Sequence, residues 1–105
     1  MSARQQGDCR FLKVNAIPKT AKIREKKNGW NILALGESTG HKHQIVEDDV
    51  DVYEDTDGTL YLKSDAMISV VHEEHRKQTL EPGIQRMKIV REKDHINDLV
   101  RNVRD

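Results

Sequence analysis

The chain has 105 residues, and its 18 basic and 18 acidic side chains give a formal net charge of zero. This length predicts a single domain over residues 1–105, and the strand pattern described below predicts that it is β-rich. The charge balance argues against a general nucleic-acid binder and against a polybasic membrane-surface segment, because both carry a basic excess. Aromatic residues are only 4% of the chain, so its core is small, and a bound metal or a homo-oligomer would add stability.

Cysteine usage and the first residues indicate the compartment. Cys9 is the only cysteine in the sequence, so an intramolecular disulfide is impossible. Residues 1–8 lack the apolar stretch of a secretory signal. No window approaches the roughly 18 consecutive apolar residues of a membrane span. The expectation is a cytoplasmic protein that is not in a membrane.

Short apolar or alternating segments follow one another along the chain, separated by turn residues. In chain order the predicted strands cover residues 9–14, 23–27, 30–35, 41–47, 50–53, 59–62, 66–71 and 84–90. Asn-Gly and Asp-Gly between such segments are the strongest short hairpin signals. Asn28-Gly29 therefore predicts that residues 23–27 pair with 30–35. Asp57-Gly58 predicts a second hairpin between the segments that flank it.

Six to eight short strands at a spacing of about 8–12 residues predict an all-β fold, either a small antiparallel barrel or a sandwich. The last residues are the one exception. Ile96, Leu99, Val100 and Val103 are spaced as on one face of a helix. A short helix over 94–105 or an irregular closing segment satisfies this pattern.

Four of the five histidines fall in two pairs, His41 with His43 and His72 with His75. Residues two apart share a face of a strand, and residues three apart share a face of a helix or tight turn. Neutral imidazole binds transition metals, and Glu47 could add a carboxylate ligand or orient a histidine. The sequence thus predicts a site for a divalent metal (Zn, Fe, Ni or Mn) formed by His41, His43, Glu47, His72 and His75.

Other functions compete with this metal site. Imidazoles buried at one end of the fold, and hydrogen-bonded to Glu47, Glu73 or Glu74, would order loops without a metal. Alternatively, the chain is a non-enzymatic phage or mobile-element binding module that acts on a small molecule or protein through its surface, or as an oligomer. No P-loop, G-x-G-x-x-G or G-x-S-x-G motif occurs, so no reaction is indicated and enzymatic activity stays open.

The charges are distributed unevenly along the chain. Residues 47–57 are strongly acidic and fit an exposed hairpin, whereas residues 19–27 and 86–93 are basic. The two basic runs could face phosphates, and Trp30 could stack on a base. An exposed charged sheet face with Trp30 in the core is the favoured interpretation, so nucleic acid is not the expected partner.

The pattern Gly36-x4-His41-x-His43-x3-Glu47 resembles the first metal-binding motif of the cupins, although the gap from glycine to histidine is one residue shorter. The resemblance implies a cupin-like jelly roll. It also implies a metal held by His41, His43 and Glu47 with one of His72 or His75.

The order of motifs over nearly the whole chain resembles a group of small uncharacterised bacterial and phage-encoded proteins. The matching segments are Gln5-Gln6-Gly7-Asp8, the G-E-S-T-G-H-K-H stretch at 36–43, the D-G-T-L-Y-L stretch at 57–62, H-E-E-H at 72–75 and Pro82-Gly83. At Gln85 the group usually has tyrosine. The resemblance implies a shared fold and a shared histidine site, and it implies no particular reaction.

Overall fold

A computed structural model describes residues 3–6, 9–35, 42–73 and 76–89. All regular structure in these ranges is β-strand, which confirms the predicted all-β class, while the predicted helix at 94–105 lies outside them. No helix in the described part of the chain has the length and apolar character needed to cross a membrane. The strands are β1 (Ala3–Gln6), β2 (Cys9–Val14), β3 (Lys22–Ile23), β4 (Ile32–Leu35), β5 (Lys42–Ile45), β6 (Asp51–Glu54), β7 (Leu60–Ser64), β8 (Ile68–Val71), β9 (Gln78–Leu80) and β10 (Gly83–Ile89).

The described strands form two antiparallel sheets. Sheet A has the order β1-β2-β10-β7-β6-β3, and sheet B has the order β4-β5-β8-β9. The core side chains come from both sheets, so the sheets pack face to face as in a sandwich. Of the two predicted architectures, the described residues form the sandwich and do not close into a barrel.

The core follows from the alternation of apolar side chains along the strands. On β2, Cys9 and Phe11 are fully buried while Arg10 between them is exposed, so the small Cys9 side chain is a core residue. On β7, Leu60 and Leu62 are also buried in the core, although Tyr61 between them is buried too. The complete buried apolar cluster is Cys9, Phe11, Leu33, Ile45, Val50, Val52, Leu60, Leu62, Ile68, Val70, Leu80 and Met87.

The hairpin predicted at Asp57-Gly58 is confirmed. Strands β6 and β7 pair with Val52 opposite Leu62 and with Tyr53 opposite Tyr61. Gly58 has a φ of +87°, a left-handed conformation that glycine adopts without strain. The Asp57 carboxylate accepts the backbone N–H of Thr59 at 3.0 Å, which fixes the turn.

The hairpin predicted at Asn28-Gly29 is wrong. Strand β3 pairs with β6 at the edge of sheet A, and β4 pairs with β5 in sheet B. The segment between β3 and β4 folds into consecutive tight turns, in which Trp30 N–H donates to Lys27 O at 3.0 Å and Ile32 N–H donates to Gly29 O at 3.1 Å. The turn therefore carries the chain from one sheet to the other.

Arg24 holds this crossover in place. Its guanidinium donates to the carbonyls of Trp30 and Ile32, each at 2.9 Å, and to the Glu54 carboxylate at 2.9 Å. Trp30 is partly buried against the core, and the Lys26 ammonium lies 5.0 Å from its ring centroid. Trp30 is thus a packing residue, as the favoured interpretation of the sequence expected.

Candidate functional site

Two of the predicted site histidines lie side by side. His43 on β5 is buried, with 4% of its surface exposed, and His72 directly follows β8 and is partly buried. Gln44 pairs with Val71 in the antiparallel register of β5 and β8, so one step further His43 faces His72. Their ring centroids are 4.3 Å apart with an angle of 35° between the ring planes.

The side chain of Gln6 organises this pair from the other sheet. Gln6 ends β1 in sheet A and is 1% exposed. Its amide nitrogen donates to Val70 O at 2.9 Å and to Arg76 O at 2.8 Å, and its amide oxygen lies 2.9 Å from His43 Nδ1. One amide thus joins β1, β5, β8 and the segment that precedes β9. We call Gln6, His43 and His72 the Gln–His cluster.

The hydrogen bonds of Gln6 determine which nitrogen of His43 carries a proton. Backbone carbonyls only accept hydrogen bonds, so the NH₂ group of Gln6 must face Val70 and Arg76. The remaining amide oxygen is then an acceptor directed at His43, and Nδ1 must be the donor. In the neutral ring, Nε2 consequently carries the lone pair and is the nitrogen able to bind a metal or a proton.

Strand β5, which carries His43, is tied to the loop after β8, which carries His72. The Lys42 N–H donates to the Glu73 carboxylate at 2.9 Å, which links the start of β5 to the residue after His72. On the other side of β5, the register with β4 shifts between Ile32 and Ala34, and Ala34 lies opposite His43. Such bulges re-aim side chains and are over-represented next to functional sites.

Glu47 lies apart from the histidines. It follows β5 at the end opposite Lys42, and its carboxylate accepts the Ser69 N–H at 2.8 Å. Four residues of extended chain span about 13 Å, so Glu47 and His43 are at different ends of the strand. Desolvation raises the pKa of the Glu47 carboxyl, but the hydrogen bonds from Ser69 outweigh it and the pKa is below its usual value.

The described residues hold only part of the predicted ligand set. His41 and His75 lie outside them, and within the described ranges no three His, Cys, Asp or Glu side chains group as a metal site. The structure therefore brings His43 and His72 together, separates Glu47 from them and leaves the positions of His41 and His75 as sequence-based predictions.

Sequence reasoning missed the role of Gln6. It was visible only as part of the Gln5-Gln6-Gly7-Asp8 match, and no spacing rule assigns a glutamine to a histidine 37 positions away. Gln85 is a second buried glutamine, 3% exposed, and its amide donates to Glu81 O at 3.2 Å. The resembling group usually has tyrosine at this position. Here the glutamine side chain faces the interior and bonds to the turn that connects β9 to β10.

Fold and site together define a small two-sheet β protein with a buried glutamine–histidine cluster that bridges the sheets. A family model of a domain of unknown function, DUF8820, matches residues 5–91 of the chain. The chain belongs to this family, and the matched residues include all of the Gln–His cluster. No curated protein and no solved structure is significantly similar to it.

Removal of the Gln6–His43 contact should destabilise the fold in a non-additive way. Gln6→Met keeps the side-chain length but removes three hydrogen bonds at a buried position, so it should cost about 2 kcal/mol or more. His43→Phe leaves the Gln6 oxygen unpaired. The double variant should be less unstable than the sum of the two by about 0.5–3 kcal/mol in urea unfolding. Additive effects would contradict the contact.

The Glu47 hydrogen bond should make stability depend on pH in the acidic range. Because its folded-state pKa is lowered, its contribution is present above the unfolded-state value and is lost as the pH falls through the folded-state value. Glu47→Gln should therefore lower the free energy of unfolding at pH 7. At pH 3 the free energies of unfolding of the variant and the parent protein should be nearly equal. A stability difference that is constant from pH 7 to pH 3 would rule out this role.

Proposed function

We propose that the protein binds a divalent transition metal at the Gln–His cluster, with His43 Nε2 as the central ligand. The observation that supports this most directly is the Gln6 amide, which accepts from His43 Nδ1 at 2.9 Å. Histidines that bind metals almost always donate their other ring N–H to a protein acceptor, which fixes the tautomer and ring orientation. The hydrogen bond to Gln6 gives His43 this arrangement.

His72 is the second proposed ligand. Two imidazoles on one tetrahedral zinc ion, each with a Zn–N bond of about 2.1 Å, place their ring centroids about 5 Å apart. The His43 and His72 centroids are 4.3 Å apart, so the partly buried His72 ring would tilt outward by roughly 1 Å. A rotation of that size about the side-chain torsions is compatible with its exposure.

His41 and His75 complete the proposed ligand set. Their chain neighbours support this: Lys42 donates to Glu73, and the Arg76 carbonyl accepts from Gln6. Lys42 and Arg76, the chain neighbours of His41 and His75, therefore belong to the immediate surroundings of the cluster. We leave Glu47 out of the set because its carboxylate is bonded to Ser69 at the other end of β5.

The donor set narrows the choice of metal. Imidazole nitrogens suit Zn, Fe and Ni, whereas Mn prefers carboxylates, carbonyls and water. Without Glu47 the site has no described carboxylate ligand, and Zn, Fe or Ni is favoured over Mn. Four histidine ligands would give a closed, structural zinc site, whereas three would leave a position for water and permit Lewis-acid chemistry.

The test is metal analysis of tag-free protein, with zinc titration of the chelator-treated form. The parent protein should bind about one equivalent, and His43→Ala should weaken zinc binding at least tenfold. His72→Ala should have a smaller but measurable effect, and His41→Ala and His75→Ala identify the remaining ligands. His95→Ala is the matched control because it removes the fifth histidine and should leave zinc affinity unchanged.

Less than about a tenth of an equivalent after reconstitution would overturn the proposal, as would equal effects of His43→Ala and His95→Ala. In that case the Gln–His cluster is a structural network. The alternative, a binding module that uses its surface, predicts that the folded His41/His43 double alanine variant keeps its partner.

A further inference from the structure

The outer face of sheet A, opposite the core, carries a continuous row of side chains across five strands. Consecutive register partners give the row its order. From β3 to β2 it consists of Ile23, Tyr53, Tyr61, Arg86 and Leu12. Tyr53 is partly exposed within this row, and Ile23 is 55% exposed. Tyr61 is only 8% exposed, so the accessible surface of the row comes from Ile23, Tyr53, Arg86 and Leu12.

At the β2–β10 end of the row, basic side chains border a cleft. Arg10 lies opposite Lys88 and Leu12 opposite Arg86 in the antiparallel register. These four residues line a cleft of about 330 Å³. Arg86 and Lys88 are two residues apart on one strand, which is about 7 Å. Three cationic groups are thus held on rigid strands around an aliphatic floor.

The three cleft cations are among the described basic side chains that form no ion pair with a carboxylate. Lys13, Arg24, Lys26 and Lys27 each form an ion pair with a carboxylate. Within the described ranges, Arg10, Arg86 and Lys88 lie within 4.0 Å of no carboxylate. The formal net charge of zero therefore conceals a local excess of positive charge on this face.

We propose that the outer face of sheet A binds single-stranded nucleic acid, with the phosphates in the cleft and a base stacked on Tyr53. Charge complementarity supports the phosphate contacts, because guanidinium groups bind phosphate oxygens through paired hydrogen bonds. Tyr53 is two strands from Arg86, about 10 Å away, in the same row. Bases of a single strand are free to stack on an aromatic ring, whereas those of a duplex are stacked on each other.

The proposal differs from the metal site in location and in ligand. Gln6 and His43 of the Gln–His cluster are buried, whereas the cleft is on the solvent side of sheet A. Asp57 limits the strength of the interaction, because it lines a neighbouring cavity together with Lys88. Its negative charge would repel phosphates at that edge of the cleft.

Fluorescence anisotropy with labelled 20-nucleotide oligothymidylate and oligouridylate, in buffer with a metal chelator, tests the proposal. The triple variant Arg10→Gln, Arg86→Gln and Lys88→Gln keeps the aliphatic stems but removes the charge. It should bind at least tenfold more weakly at 50 mM salt. Loss of three phosphate contacts should also reduce the slope of log affinity against log salt by about 2. Tyr53→Ala should weaken binding threefold or more.

Two controls separate a specific site from general charge effects. The triple variant Lys19→Gln, Lys27→Gln and Lys77→Gln removes the same charge elsewhere and should bind within twofold of the parent. Asp57→Asn keeps the oxygen that accepts from Thr59 but loses the negative charge, so it should bind more tightly. Absence of binding by the parent at 50 mM salt, equal losses in both triple variants, or equal affinity for a duplex would overturn the proposal.

Discussion

The arrangement of the two sheets around His43 depends on the hydrogen bonds of the Gln6 amide, which joins β1 to β5, β8 and the segment before β9. Both of its hydrogens bond to the carbonyls of Val70 and Arg76, and its oxygen accepts from His43, so each polar atom of the buried amide has a partner. A buried amide without these partners would cost several kcal/mol, on the order of 2–7 depending on the reference state. The two sheets are therefore joined by a polar group that tolerates only one arrangement.

This arrangement has consequences for chemistry as well as for stability. A fully satisfied polar network in a low-dielectric interior fixes geometry more firmly than apolar packing does. Here it fixes the tautomer of His43 and the approach of His72, whose ring centroid is 4.3 Å away. The outer face of sheet A is different, because in the described part of the chain Arg10, Arg86 and Lys88 form no ion pair within 4.0 Å, and Asp57 lines a cavity beside Lys88. The buried network and the exposed basic face are the two features that the core packing does not require.

Much of the fold could be predicted from alternation and turn residues. The β2 strand and the β6–β7 hairpin follow from local patterns, since Asp57-Gly58 lies between two short apolar segments that pair with each other. Asn28-Gly29 carries the same signal but connects different sheets. In the folded protein Arg24 bonds to Trp30, Ile32 and Glu54 at once, and the last of these partners lies 30 positions away, where a local rule does not reach.

The site was predictable in its residue types and only partly in its geometry. His43 and His72 were identified as ligand candidates from spacing, and the β5–β8 register brings them together. Glu47 is four residues after His43, a spacing that places both on one face of an extended segment, yet this spacing does not show that Glu47 lies beyond the other end of β5. Gln6 could not be found, because its bonds to Val70 and Arg76 span 64 and 70 positions of sequence.

The tautomer of His43 is the most direct test of this account, and a long-range ¹H–¹⁵N correlation spectrum of the metal-free protein at pH 7.5 measures it. We expect a neutral ring with its proton on Nδ1 and the lone pair on Nε2, and loss of this pattern in Gln6→Met. A proton on Nε2 with Nδ1 unprotonated would contradict the Gln6–His43 hydrogen bond, and with it the proposed role of His43 as a metal ligand.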